Sequence, residues 1–302
     1  MKRRIPIFCI VFCVAAMYIA SLACAAETGG EINWADGYVS AVGTGTAVKS
    51  STRSLAQLRP LAKRAAMLDA YRNLLETTKG VKLDSSTTVE DFTVTQDVIK
   101  TQVEGIVKGA RIFKEGYEPQ PDGSILATVE MHICISSCPG TASLVQALNL
   151  DQKKEPPYVP QQRLEDVPVV NPPPPPKEYK IIYDSSKPVT AVIFNLDGRS
   201  FEKVLLPVIV AEGLGDGLVT VYSAKNVTPS VVRTYGVVRY ANNLDQAKSN
   251  PRNGDNVMII PVSDITKENM LVVKAEAARL IKETTSHGND YLGEAKVMIT
   301  IQ

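Results

Sequence analysis

The chain is short of the residues that most often do chemistry. It has two histidines, one tryptophan and six phenylalanines in 302 residues. His132 and His287 are far apart in sequence, and His287 sits in the loop-like run Ser286-His287-Gly288-Asn289-Asp290. Each reads as solvated or structural. A GxSxG nucleophile elbow, an HExxH pair and an EF-hand loop are all missing. There is no excess of either charge: the formal net charge is +1. A nearly neutral chain lacks the basic footprint that nucleic acid requires. No catalytic group, cofactor or metal-ligand set can be assembled from these residues, and the chain reads as a non-enzyme.

Long apolar runs are missing beyond the first 26 residues. There, Lys2, Arg3 and Arg4 precede an apolar core from Ile5 to Leu22. The small residues Ala23, Cys24, Ala25 and Ala26 follow, just before Glu27. This is the pattern of an export signal over residues 1–26. It places the protein in the periplasm or at the outer membrane. Ser21-Leu22-Ala23-Cys24 is an imperfect lipidation pattern, and membrane contact is expected only if Cys24 carries lipid. Removing Lys2, Arg3 and Arg4 takes the net charge from +1 to −2.

Cysteine is scarce as well. Of five, Cys9, Cys13 and Cys24 belong to the signal segment. Cys134 and Cys138 remain, in a compartment where thiols pair. Their spacing closes a small ring only if the chain turns at Ser136 and Ser137. The competing reading, a redox or metal site, lacks ligands: only His132 is near.

What the chain does contain is organised around Arg59 to Gly80, the clearest helix signal. Leu61, Ala65, Leu68, Tyr71 and Leu75 recur at intervals of three or four and mark its expected buried stripe. Pro60 is expected in the first turn and Gly80 at a left-handed end. The alanines keep the helix thin enough to lie close on a sheet. Before it, Trp34 to Thr46 reads as a weak strand in which Gly37, Gly43 and Gly45 imply bends or close approach of another element. Gly43-Thr44-Gly45 lacks the Lys-Ser/Thr of a phosphate loop.

A short helix is expected over Thr95 to Gly105. Ala110 to Tyr117 reads as a strand. Ile125, Ala127, Val129, Met131, Ile133 and Ile135 alternate with more polar neighbours, a strand with one buried face. Pro119-Gln120-Pro121-Asp122-Gly123 between the two strands is hairpin chemistry. A short helix with Leu144, Val145 and Leu148 inward closes this part.

Nine prolines between Asp151 and Lys180, including the run Pro172 to Pro176, exclude a packed element there. The segment reads as an extended tether. Past it, strands are expected over Val189–Leu196, Lys203–Ala211 and Leu218–Tyr222, with Pro207 demoting the middle one to an edge or a bulge. Helices are expected from Thr228-Pro229, over Asn242–Ser249 and over Lys274–Thr284, with Ala277, Ala278 and Ile281 inward. Val257–Val262 reads as a short buried strand. The terminal strand alternates Ala295, Val297, Ile299 and Ile301 with Lys296, Met298 and Thr300.

The expected fold is therefore α+β. A signal peptide (1–26) precedes a helix-on-sheet domain (27–150), in which the long helix covers an antiparallel sheet. A Pro-rich linker (151–180) leads to a second α/β domain of mixed sheet and short helices (181–302).

Several short motifs in the first part carry a resemblance. They are Trp34-Ala35-Asp36-Gly37, Gly43-Thr44-Gly45, Arg64-Ala65-Ala66, Asp69-Ala70 and the strands ending at Tyr117 and Ile135. Together, over residues 31–137, they resemble the LPP-twenty lipoprotein family. The arrangement is also similar to the amino-terminal domain of flagellar assembly protein T. That resemblance implies a bacterial envelope location and a structural or accessory role, in a ring or surface-organelle assembly. Other envelope proteins, or copies of the chain itself, would be the partners.

The alternative is a periplasmic module that binds a ligand or cell-wall glycan, with Arg252 and Asn256 as its candidate contacts. Their other reading is turn-holding, which the composition of Asn250 to Asn256 favours. The first reading predicts an exposed apolar patch or sheet edge. The second predicts a pocket with convergent polar groups around Asn250 to Asn256.

Overall fold

The computed structural model describes residues 29–50, 54–94, 96–136, 138, 140–150, 179–212, 217–285 and 289–301. The export signal with Cys24, His287 and most of the Pro-rich segment lie outside the described residues. The fold is α+β, with three four-stranded sheets.

The first sheet has the order β1-β2-β4-β3 and is antiparallel throughout. β1 (Gly30–Asn33) turns at Gly37, where φ is +74°, into β2 (Tyr38–Ala47). The single strand expected from Trp34 to Thr46 is thus the second arm of a hairpin, with Trp34 in its turn. β3 (Arg111–Pro119) and β4 (Ile125–Cys134) form the expected hairpin, turning at Gly123. β4 alternates as expected: Ile125, Ala127, Val129, Met131 and Ile133 are buried, and the residues between them are only half-buried up to His132.

The long helix, α1, runs from Leu55 to Lys79 and covers the buried faces of β2 and β4. Its buried ridge is Leu58, Ala62, Ala66, Ala70, Leu74 and Thr78, all fully buried. This corrects the expected stripe: Leu68 is 62 % exposed and Leu61 39 %. The reason is distance. A Cβ on Gly43 would strike the backbone of Ala66 and Ala70, and one on Gly45 that of Ala62 and Ala66. The helix backbone lies almost on the strand, where alanine fits and leucine does not. Pro60 lies inside the helix, because Gln57 Oε1 accepts from Ser54 N–H (3.0 Å) and starts it one turn earlier. Gly80 ends it with an ordinary right-handed φ of −75°.

β1 reaches only to Ala41 of β2. Beyond it the open edge of β2 is closed by polar side chains of α1. Thr44 N–H donates to Asp69 Oδ2 (2.9 Å) and Asn73 Nδ2 donates to the Val42 carbonyl (2.8 Å). This protects the edge without a further strand.

The helix expected over Thr95 to Gly105 is α3 (Asp97–Lys108), which buries Ile99, Val103 and Val107, and an additional short helix, α2 (Val89–Val94), precedes it. α4 (Leu144–Ala147) buries Leu144, Val145 and Ala147.

The second half has two sheets. One is parallel, with order β8-β12-β5-β9: β5 (Ala191–Asn195), β8 (Arg239–Ala241), β9 (Val257–Pro261) and β12 (Val297–Thr300). The other is mixed, with order β10-β11-β6-β7: β6 (Ile209–Glu212), β7 (Leu218–Tyr222), β10 (Asp264–Ile265) and β11 (Leu271–Val273). Helices α5 (Pro229–Tyr235) and α7 (Ala275–Thr285) connect the two sheets, and α6 (Leu244–Lys248) lies between β8 and β9 of the parallel one.

β12 is flanked on both sides and buried on both faces. The expected alternation is there, and it divides two cores. Val297 and Ile299 join the large core, while Met298 joins Ile193, Ala241, Ala247 and Ile259. β6 begins only after Pro207 and pairs on both sides, so it is no edge. The expected irregularity is there as a register shift at Ile209/Val210.

The halves dock. Leu205 and Leu206 N–H donate to the carbonyls of Lys82 and Leu83 (3.0 and 2.8 Å), and Lys82 Nζ pairs with Glu202 (2.6 Å). The Trp34 ring stands edge-on to Tyr240 at 5.4 Å. One buried cluster runs from Val39 of the first sheet to Ile299 of the last strand.

Candidate functional site

Asn256 opens β9 from a turn in which Gly254 takes a φ of +75°. It is 5 % exposed. Its Oδ1 accepts from Asp184 N–H (3.0 Å), and its Nδ2 donates to the carbonyls of Asp184, Lys187 and Pro188 (2.8, 2.9 and 3.3 Å). Both of its side-chain polar atoms are engaged with the loop 184–188, where the chain enters the second half.

Arg252 lies in the short 3₁₀ turn Pro251–Asn253. Its guanidinium donates to the carbonyls of Glu294 and Ala295 and lies over the Tyr235 ring, 3.4 Å from the centroid. Asn250 Oδ1 accepts from Arg252 N–H (3.1 Å) and caps the turn. The structure thus separates the two expected contacts: Arg252 ties its turn to the approach to β12, and Asn256 ties β9 to the entry loop.

Sequence reasoning missed Arg239, at the start of β8. Its Nη1 donates to Asn250 Oδ1 (2.7 Å) and its Nη2 to Asn253 Oδ1 (3.1 Å). Its Nε is buried without a hydrogen-bond partner among the described residues. Burial, with the Arg252 charge nearby, pushes the Arg239 guanidinium down to about 10. Burial lowers Arg252 too, against the pull of Tyr235, Glu294 and Tyr222. Asn253 is fully buried and donates to the Ala247 carbonyl (2.7 Å). These side chains fasten turn to strand. Two surface recesses, of about 420 and 400 Å³, lie elsewhere: one at Gln120–Leu126, the other between Tyr179–Tyr183 and α7.

In the first half, Cys134 and Cys138 are joined as a disulfide with Cα atoms 6.1 Å apart. The bonded loop presents Ser136 toward Gly236 of the second half. His132 lies on the half-open face of the first sheet. It bonds Glu130 Oε1 (2.7 Å) and is stacked between Tyr38 and Phe113 at 4.4 and 4.3 Å. No group of three or more metal-ligating side chains converges among the described residues.

β3 is open along one side. It is the outer strand of its sheet, and seven of its first eight residues, Arg111 to Glu118, are exposed. Phe113 is 69 % exposed beside Ile112 at 36 %, at a bulge against β4.

Residues 189–302 match a family model described as the second domain of Treponema pallidum Tp0624. The span takes in all eight strands of the second half. No curated protein matches the chain.

Proposed function

We propose that the protein is a non-enzymatic structural or accessory component of a bacterial cell envelope, exported through residues 1–26, whose first domain docks onto other envelope proteins through the β3 edge. The observation that carries this reading is that edge. It offers a nine-residue strand with unpaired backbone groups and an exposed Phe113, the features of strand-addition surfaces. In the Asn250 to Asn256 region, where a ligand module would keep free polar groups, Asn250 caps the turn and Asn256 bonds the entry loop. The similarity of the second half to a domain of a Treponema pallidum protein fits a bacterial setting. The LPP-twenty-like motifs of the first half, and through them a place in a flagellar-type ring, belong to this same proposal.

A photo-crosslinking residue in place of Phe113, in cells making the full chain, tests it. Adducts with envelope proteins or with the chain itself are expected at position 113, and none at Val98, which is as exposed but lies on α3. Equal labelling at both positions, or none at 113, overturns the reading.

A further inference from the structure

The glycines within the first-half strands fall into two groups. A Cβ on Gly30 would strike Thr77, and on Gly43 or Gly45 the backbone of α1. These three are explained by elements packed against them. Gly116, in the middle of β3, meets nothing within 4 Å and is not in the left-handed region. A strand-interior glycine weakens the strand, and it commonly marks the close approach of another backbone. Apart from its partner strand β4, no described residue lies within 4 Å of where a Cβ on Gly116 would stand.

We propose that β3 pairs antiparallel with β3 of a second copy, about a two-fold axis at Gly116. This rests on reading the β3 edge as the assembly surface and names its partner. A two-fold axis perpendicular to a continuous sheet sets one residue opposite itself and preserves the faces, so each register is defined by its central residue. Lys114, Gly116 and Glu118 share the face away from α1, being opposite Glu130, Thr128 and Leu126 of β4. Centring on Lys114 sets lysine against lysine, and centring on Glu115 sets glutamate against glutamate. Centring on Tyr117 sets Glu118 against Gly116. Centring on Gly116 sets Lys114 against Glu118 twice, once on each side of the axis. It also brings the exposed Phe113 alongside Pro119. Opposite charges directly across a pair stabilise it and like charges oppose it.

Lys114 and Glu118 are exposed and make no ion pair among the described residues. Their neighbours differ: Glu115 is held by Lys63, and Tyr117 lies under Arg59. A lysine, a proline and a bulge on an edge strand discourage pairing with unrelated strands. In this register the lysine and the proline become contacts, so the same residues select the copy.

The interface is small beside the roughly 1,600 Å² of a standard one, so the dimer forms at high concentration or where copies are held together. The test uses the protein as the cell processes it. Under mild oxidation Gly116→Cys is expected to give a covalent dimer that reductant reverses. Val219→Cys, on the outer strand β7 of the second half, stays monomeric. Cys134 and Cys138 are bonded to each other and do not compete. In sedimentation velocity, Lys114→Glu weakens the dimer at least about fivefold, and adding Glu118→Lys restores it. A chain monomeric at the highest soluble concentration, with no Gly116→Cys dimer, overturns the proposal. So does a charge swap that fails to restore pairing. If heterologous crosslinks at Phe113 persist while these fail, the docking edge stands and the second copy is excluded. If both fail, both readings fall.

Discussion

The two halves solve the problem of a sheet in opposite ways. The second half buries its parallel sheet on both faces. It closes the outer side of β9 with the entering chain, where Ile182 and Ile259 exchange backbone hydrogen bonds of 3.0 and 2.8 Å. The first half covers one face only, with one helix, and leaves β3 open along its length. A parallel sheet needs cover on both sides, and the second half spends Asn253, Asn256, Arg239 and Arg252 on holding its turns in place. The long open edge β3 belongs to the half whose helix lies so close that glycine and alanine form the contact, whereas the outer strand β7 of the second half is only five residues long. Under the proposed function, the second half stabilises and the first half presents.

The largest expected effect tests the closeness of that contact. Gly43→Val drives a branched side chain into the α1 backbone and is expected to cost more than about 3 kcal/mol. Gly116→Ala, in open space, stays within about 0.5 kcal/mol. Urea unfolding of both variants measures the contrast. Similar costs would mean that α1 sits away from the strand and that the comparison of glycines is void.

Next comes the ridge of α1. Leu74→Ala is expected to cost about 2–4 kcal/mol as a fully buried core truncation. Leu68→Ala should be near neutral. The reverse order would restore the leucine stripe as the buried face.

That stripe shows what was legible in the residues and what was not. The helix itself was plain from its length and periodicity, as were the β3–β4 hairpin and the buried face of β4. Which side of α1 turns inward was not. Leucines carry the stronger apolar signal, but the contact is set by thickness, and the deciding residues, Gly43 and Gly45, lie on another element. In β12 the alternation was real, yet a strand at the centre of a parallel sheet buries both faces, and period two then carries no side. Asn256 and Arg252 stood out as a polar turn, and in the fold one reaches the entry loop and the other the approach to β12. Arg239 was invisible because its meaning comes from Asn250 and Asn253, which reach it only after α6 has folded back. The docking of Lys82 and Leu83 against Leu205 and Leu206 is a backbone pairing and leaves no mark in side-chain pattern.

On the side of the second half, Asn256→Ala removes the four side-chain hydrogen bonds that hold the loop 184–188. A loss of about 2–3 kcal/mol is expected, with faster amide exchange confined to residues 184–190. Asn256→Asp keeps the acceptor to Asp184 N–H but cannot donate when ionised, so it should recover little. Full recovery by aspartate would show that donation to the Asp184 and Lys187 carbonyls is unimportant and that the entry loop holds itself.

The smallest expected effect concerns acid, and it asks whether that loop has a support of its own. The Ser186 hydroxyl and then the Ser186 N–H hold the Asp184 carboxyl below the usual carboxylate range, with Lys187 adding to the same direction. Its folded pKa is lower than its unfolded one. The folded chain therefore binds fewer protons than the unfolded chain in the interval between the two. Stability from this group is fully present above the unfolded value of about 3.9 and is lost as pH falls through the folded value. Asp184→Asn should therefore flatten the stability profile slightly below about pH 4 while leaving its neutral-pH shape unchanged. The carboxyl is exposed, so the change is small beside that of Asn256→Ala. An unaltered acid limb in the variant would assign the whole order of residues 184–188 to Asn256. A slope that shifts at neutral pH would mean the aspartate answers to a group other than Ser186 and Lys187.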